Sequence, residues 1–155
     1  MKIRLSIKQN LLVEVTLNED LVMKSAGIQS YTTMVGFIKD GKIFEDGKFS
    51  RTTTKHMNEI VYITGFPKQD SGQRKHFWEY PYGTRIRHDD SLSSFSSQTI
   101  LKELAAGKSF FEAVSGIDKI SWRDKSIIED ILEVKGLKEA FESYRKIKKN
   151  SFLLI

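Results

Sequence analysis

The sequence predicts an α+β fold, in which a mostly antiparallel sheet of hairpins with one capped helix is followed by a C-terminal segment of three to four helices. Up to about residue 87, apolar and polar residues alternate as they do in half-buried strands. Asp-Gly pairs at residues 40–41 and 46–47 lie next to apolar segments, which is typical of tight turns between strands. From about residue 97, apolar residues recur at helical spacing instead. Strands and helices segregated along the chain in this way are typical of the α+β class.

The length of 155 residues is that of one domain, or of one domain with a helical appendage. We divide the chain into a β-rich part, residues 1–95, and a helical extension, residues 96–155, and expect the two to pack as one compact unit. The chain has no cysteine, which excludes disulfides and cysteine-ligated zinc. No segment approaches the roughly 18 apolar residues of a membrane span, and no apolar segment follows Met1 as in a signal peptide. We therefore expect a cytoplasmic protein with no membrane partner.

The first hairpin is predicted from two alternating segments. Residues 2–8 and 11–17 each place their aliphatic side chains on one side, and Gln9-Asn10 forms the turn between them. Glu14 and Thr16 are expected to face outward.

A second hairpin is predicted around Asp40-Gly41. Residues 30–38 are rich in β-branched and aromatic residues and are expected to form one strand, and residues 42–49 the other. Residues 21–28 fit either a short helix or an irregular connection.

Helices are predicted from caps and spacing. Ser50 is placed to cap a helix over residues 51–63, and a loop is expected over residues 65–76. A Ser-rich linker over residues 88–98 leads to helices that run from Thr99 to about Ala106, up to Gly116, from Trp122, and from Leu137.

The segment from about residue 30 to residue 60 resembles a small domain of unknown function that is common among phages and plasmids of Gram-positive bacteria. Its members carry S-Y-x-T-x-V-A, a short hairpin, and then Tyr or Phe followed by S-x-T-T-x-K-H. The matching residues here are Ser30, Tyr31, Thr33, Val35, Phe49, Ser50, Thr52, Thr53, Lys55 and His56. Gly36 stands where alanine is usual, and we expect this difference to be harmless. The resemblance implies a mobile-element origin and implies no particular chemistry.

The cluster from Ser50 to His56 has two interpretations. Hydroxyl groups, Arg51 and Lys55 surround a helix N-terminus, whose free N–H groups and positive dipole suit a phosphate. The hydroxyls could instead cap the helix and bond local backbone. We interpret His56 itself as a partly buried hydrogen-bonding residue rather than as a base or ligand.

The segment from Arg74 to Arg87 interleaves basic and aromatic residues. Single-stranded nucleic acid is held by this combination, because bases stack on aromatic rings while Lys and Arg contact phosphates. The alternative is that one face of a strand over residues 76–80 belongs to the core and that the basic groups are only solvated.

We therefore predict a non-enzymatic protein that binds nucleic acid, with single strands favoured, and that needs no cofactor. The predicted stacking residues are Tyr31, Phe49, Trp78, Tyr80 and Tyr82. The predicted phosphate contacts are Arg51, Lys55, Arg74, Lys75, Arg85 and Arg87. The net charge of +5 suits such a partner without requiring one.

Two other classes remain open at this point. The first is a phage-type inhibitor that binds a host defence protein, which predicts an exposed apolar or acidic patch. The second is a nuclease-like enzyme, although the sequence contains no recognised catalytic motif. His76, His88, Asp89 and Asp90 fit no metal-ligand spacing, so no metal site is predicted. The apolar ending, residues 151–155, could pack on the β-rich part or form a homodimer contact.

Overall fold

The computed structural model describes residues 1–46, 50–70, 86–87, 89 and 91–153. In these residues the chain forms one six-stranded sheet and five helices. The strands are β1 Lys2–Lys8, β2 Leu11–Leu17, β3 Met23–Ser30, β4 Thr33–Lys39, β5 Lys42–Glu45 and β6 Lys68–Asp70. The helices are α1 Arg51–Thr64, α2 Ser94–Ala105, α3 Phe110–Ser115, α4 Trp122–Val134 and α5 Lys138–Leu153. The prediction of an α+β fold is confirmed.

The sheet keeps the order of the chain, from β1 at one edge to β6 at the other. Strands β1 to β5 pair antiparallel through tight turns. Strand β6 pairs parallel with β5, and α1 provides the crossover that a parallel pair requires. The predicted loop over residues 65–76 is thus wrong at residues 68–70, which extend the sheet, whereas residues 65–67 have no regular structure and residues 71–76 lie outside the described residues.

One face of the sheet packs against α1. Leu5, Val13, Ile28 and Gly36 lie in register across β1 to β4, and the side chain of Met57 from α1 lies against Gly36. A Cβ atom on Gly36 would come within 2.6 Å of Cε of Met57 and within 2.8 Å of the carbonyl oxygen of Phe44. An alanine at this position would require Met57 and the neighbouring backbone to move, so the glycine in this chain allows this close approach.

The opposite face of the sheet is also largely buried. Glu14, which we expected to face solvent, is only 3% exposed. Its carboxylate accepts a hydrogen bond from Nε of Arg4 at 3.0 Å and lies 3.4 Å from Nζ of Lys2. The two cations offset the cost of removing this charge from water. Phe37 is buried on the same face.

The region between residues 21 and 38 differs most from the prediction. Residues 21–28 form neither a helix nor an irregular connection, because most of them belong to β3. The strand predicted over residues 30–38 is divided by a turn at Tyr31-Thr32. The turn was not visible in the sequence because Tyr31 adopts a positive φ of 56° without being Gly or Asn. The Asp40-Gly41 turn is confirmed, with positive φ at both residues.

The described part of the Ser-rich segment packs against the sheet and continues into a helix, instead of forming a linker throughout. Leu92 pairs with Leu5 at the β1 edge of the sheet. Helix α2 begins at Ser94, five residues earlier than predicted, and packs on β1. Ser96 and Ser97, which were assigned to the linker, are fully buried inside this helix.

The side chain of Asp124 in α4 binds residues at the start of α2. Its buried carboxylate accepts hydrogen bonds from the backbone N–H of Ser93 at 3.0 Å, from the hydroxyl of Ser96 at 3.1 Å, and from the hydroxyl of Ser93. The backbone N–H of Asp124 in turn donates to Oγ of Ser121, the cap of its own helix. A carboxylate at the start of α2 also complements the helix dipole. Helix α4 is thereby tied to the start of α2.

We expect Asp124→Ala to lower the free energy of unfolding by about 2–3 kcal/mol, because the variant leaves buried donors without their charged acceptor. Chemical denaturation would measure the loss. Asp130→Ala is the matched control, since Asp130 is an exposed acid of the same helix. Its effect should lie within about 0.5 kcal/mol. Equal effects of the two variants would show that the Asp124 contacts do not stabilise the packing of α4 against the start of α2.

Candidate functional site

Three consecutive residues at the end of β3 bring the candidate site together. Side chains alternate along a strand, so Gln29 and Ser30 point to opposite faces of the sheet. Tyr31 follows them in the turn to β4. Ser30 contacts α1, Gln29 contacts Ile86, and Tyr31 follows both residues in the chain.

On the α1 side, Ser30 is the centre of a buried polar cluster. A hydrogen bond of 2.7 Å joins its hydroxyl to Nδ1 of His56, and its hydroxyl lies 3.3 Å from that of Thr53. Ser50 caps α1 by accepting from the backbone N–H of Thr53. Thr53 is the buried threonine of the three, whereas Thr52 is exposed. The hydroxyls of the Ser50–His56 segment thus cap the helix and join it to β3.

His56 is buried and hydrogen-bonded, as the sequence analysis predicted. Burial lowers the pKa of His56 below its ordinary value of 6.5, and the nearby charge of Lys8 lowers it further, while Glu59 opposes the shift. Lys8 and Glu59 themselves form an ion pair at 3.8 Å. The ring of His56 lies 5.7 Å from the ring of Tyr31. The neutral imidazole is therefore a packing and hydrogen-bonding element beneath Tyr31.

On the opposite side, Gln29 fixes a distant segment of the chain. Its side chain is 1% exposed and forms three hydrogen bonds. Nε2 donates to the carbonyl oxygens of Tyr31 at 3.0 Å and of Ile86 at 3.1 Å, and Oε1 accepts from the N–H of Ile86 at 2.9 Å. The amide thus binds both backbone groups of Ile86, as a neighbouring strand would.

Arg87 is held in place by its backbone while its side chain stays exposed. The preceding residue, Ile86, is fixed by Gln29, and the carbonyl oxygen of Arg87 accepts from the buried hydroxyl of Ser91 at 2.6 Å. The guanidinium forms no hydrogen bond or ion pair with any residue that the structure describes. The backbone of Arg87 is thus held beside Gln29, and its exposed side chain is available to a ligand.

A half-open cavity of about 410 Å³ lies where these segments meet. The residues that line it are Asn10, Leu12, Gln29, Tyr31, Thr32, Ile86 and Arg87. Tyr31 is 49% exposed and contributes an aromatic ring to its edge. None of these lining residues is acidic, and one is a cation. The cavity is therefore suited to a planar ligand that carries negative charge.

The backbone around the cavity is unusual at two of its residues. Asn10 and Tyr31 have positive φ angles of 63° and 56°. Asparagine tolerates this conformation, whereas for tyrosine it costs roughly 1–2 kcal/mol. The N–H of Tyr31 donates to the carbonyl oxygen of Asn10 at 2.8 Å, which joins the two turns. Strained residues of this kind gather at functional sites, where the surrounding structure holds them.

A polar stripe on α1 lies beside the His56 cluster. Residues 51, 55, 58 and 62 are exposed and fall on one side of the helix. Arg51 and Lys55 have no ion pair with any described residue, and Tyr62 is 86% exposed. Asn58 accepts a hydrogen bond from Nζ of Lys68. We call residues 51, 55, 58 and 62 the α1 stripe.

The predicted site residues divide into two groups. Tyr31 and Arg87, which are 56 positions apart in the sequence, line the same cavity, and Arg51 and Lys55 lie on the helix that carries His56. The other seven lie outside the described residues. They are Phe49, Arg74, Lys75, Trp78, Tyr80, Tyr82 and Arg85.

The sequence analysis missed Asn10, Gln29 and Thr32. Asn10 was recognised only as part of a turn, and Thr32 was assigned to a strand. No sequence pattern marked Gln29 as a site residue, because a glutamine at the end of a strand is usually solvated. The role of Gln29 depends on Ile86, which no local pattern connects to it.

Within the described ranges, no group of three or more His, Asp or Glu side chains is placed to hold a metal ion. His76, His88 and Asp90, which were considered as metal ligands, lie outside those ranges. Of the helices over the described residues, none is both long enough and apolar enough to cross a membrane. The residues of the apolar ending have no described side chains.

Residues 7–79 match a family of unknown function, DUF8033. The match covers slightly less than half of the chain and includes Gln29, Tyr31 and the whole of α1. It confirms a similarity to a domain of unknown function over a longer segment than the sequence motif indicated. No curated protein and no solved structure matches the chain significantly.

The pKa of His56 gives a test of the buried cluster. We expect an NMR titration to place it below 6.5, because burial disfavours the imidazolium ion. Lys8→Gln should raise this pKa and Glu59→Gln should lower it, since the two charges act in opposite directions.

The lowered pKa of His56 makes the free energy of unfolding depend on pH in a defined direction. A histidine whose folded-state pKa is depressed binds more protons when unfolded, so stability is complete above about pH 6.5 and declines as the pH falls through the folded-state value. His56→Gln should reduce this decline in denaturation curves measured across the same pH range. A pKa above 6.5 in the wild type would contradict the buried, neutral assignment.

Proposed function

We propose that the protein binds single-stranded nucleic acid through the cavity at Tyr31 and the adjoining α1 stripe. The observation that carries the proposal is that Tyr31 and Arg87 line one cavity, and that none of its described lining residues is acidic. Base stacking on an aromatic ring beside a cation that contacts phosphate is how proteins hold single strands. The proposed role is non-enzymatic, as an accessory protein of a phage or plasmid.

The α1 stripe supports a path for the strand beyond the cavity. Arg51 and Lys55 supply two exposed cations near the N-terminal end of the helix, and Tyr62 supplies a second exposed ring. The ring contact between Tyr31 and His56 connects this helix with the cavity. The α1 stripe thus supplies cations and a ring of the kind that surfaces binding single strands combine, on the side of α1 that faces away from its buried residues.

A duplex fits this arrangement less well than a single strand. In a duplex the faces of the bases are stacked on each other, so Tyr31 could not contact one without unstacking it. An unpaired base offers its face at no such cost. We therefore assign the cavity to an unpaired nucleotide.

A second candidate is a protein-binding inhibitor, such as a phage factor that binds a host defence protein. The observation that favours it is the exposure of two large rings, Trp122 at 85% and Phe95 at 68%. Trp122 lies in the first turn of α4, and the described apolar core of this helix is formed by Ile128 and Leu132. This candidate becomes the stronger one if the chain binds no oligonucleotide.

The salt dependence of binding tests the leading proposal. Fluorescence anisotropy with labelled single strands of about 15 nucleotides should show binding at about 50 mM salt that weakens steeply by about 200 mM. The double variant Arg51→Gln and Lys55→Gln removes two phosphate contacts, so the slope of log affinity against log salt should become shallower by about 1.4.

The matched control is Lys102→Gln together with Lys119→Gln, which removes the same charge from exposed positions outside the α1 stripe. Its slope should remain that of the wild type. Absence of binding at the lower salt concentration, or equal slopes for the two double variants, would overturn the proposal.

A further inference from the structure

The hydrogen-bonding groups of the cavity fall into two sets. Both donor hydrogens of the Gln29 amide are used by Tyr31 and Ile86, and its oxygen accepts from the N–H of Ile86. The side chains of Asn10 and Thr32 form no hydrogen bond with any residue in the described part of the chain, and neither does the guanidinium of Arg87. The cavity therefore offers an amide, a hydroxyl and a cation beside the ring of Tyr31.

The amide of Asn10 has a defined chemical complement. An amide presents one acceptor and a pair of donor hydrogens side by side, which matches a base edge that carries a donor next to an acceptor. Asparagine pairs in this way with N6 and N7 of adenine. An unpaired adenine also exposes N6 next to N1, so it offers the same pattern on two of its edges. The other common bases also present a neighbouring donor and acceptor on their Watson–Crick edge, and adenine differs from cytosine and thymine in presenting a second such pair at N6 and N7.

We propose that the cavity binds a single unpaired adenine nucleotide of the strand, whose base edge is read by the side-chain amide of Asn10. The base stacks on Tyr31 and its phosphate contacts Arg87. This inference rests on the proposed function and adds a base preference to it.

The dimensions and construction of the cavity agree with one nucleotide. A volume of about 410 Å³ lies in the lower part of the range of roughly 300–1,000 Å³ that small-ligand sites occupy. Asn10 and Tyr31 are joined through their backbones at 2.8 Å, and Ile86, next to Arg87, is held by Gln29. The groups assigned to base edge, base face and phosphate are thus positioned before the ligand binds. Such preorganisation lowers the entropy cost of binding.

The structure also offers a sharp variant for the test. Asn10 has a positive φ of 63°, which glycine adopts freely. Asn10→Gly therefore removes the amide without straining the turn. Thr16→Ser is the control, because Thr16 lies on β2 outside the cavity lining and the change retains a hydroxyl.

The experiment compares labelled oligodeoxythymidylate of about 15 nucleotides with the same strand carrying one central adenine or one central cytosine. The wild type and Thr16→Ser should bind the adenine strand at least roughly fivefold more tightly than the other two. Asn10→Gly should bind all three strands equally, with the affinity that the wild type has for plain oligodeoxythymidylate. Adenosine monophosphate serves as a separate probe and should bind much more weakly than the adenine strand.

The outcomes separate this inference from the function it rests on. Salt-dependent binding of all three strands with no adenine preference, or a preference that Asn10→Gly retains, overturns the adenine subsite and leaves single-strand binding intact. Binding of adenosine monophosphate as tightly as the adenine strand overturns the assignment to a strand. Absence of binding to every oligonucleotide overturns both.

Discussion

The hydrogen bonds of one buried amide, that of Gln29, determine whether the candidate site exists. The amide bonds both backbone groups of Ile86, 57 positions further along the chain, and also the carbonyl oxygen of Tyr31. Because these bonds are shielded from water, losing one of them leaves a buried polar group unsatisfied, at a cost of about 1–3 kcal/mol. The sheet is thereby connected to the segment that carries Arg87, which also pairs with β1 through Leu92, and the ring and the cation of the cavity come from distant parts of the sequence.

Ser30 provides the complementary connection on the other face. It joins β3 to Thr53 and His56 of α1, so neighbouring residues of one strand hold a helix on one side and a returning segment on the other. Tyr31 lies between them in a conformation that an isolated turn would not favour, and these flanking contacts explain how it is retained. The helical half contributes at a distance, because Asp124 fixes the start of α2, which packs on β1.

Local patterns predicted much of this fold, and long-range contacts account for what they missed. Strands β1 and β2, the Asp40-Gly41 turn and the Ser50 cap each depend on neighbouring residues, and the position of each was predicted correctly. The burial of Glu14 depends on cations across the sheet, and the burial of Ser96 depends on Asp124 from another helix. The cavity shows the same division. Tyr31 and Arg87 were selected for their chemistry, but their proximity and the roles of Asn10 and Gln29 follow from tertiary structure alone.

We propose that Tyr31 is retained in a strained turn for its ring rather than for the fold. The most direct measurement is the pair of values for Tyr31→Gly: the free energy of unfolding and the affinity for a single-stranded oligonucleotide. Glycine adopts the positive φ without strain, which raises stability. The variant also loses the ring contact with His56 and has more conformational freedom in the unfolded chain, and both effects lower stability. Because these effects oppose each other, the free energy of unfolding should change by no more than about 1 kcal/mol. Loss of one stacked base should weaken binding by roughly fivefold or more. An affinity equal to that of the wild type would contradict the account, and so would a large loss of stability with binding lost only through unfolding.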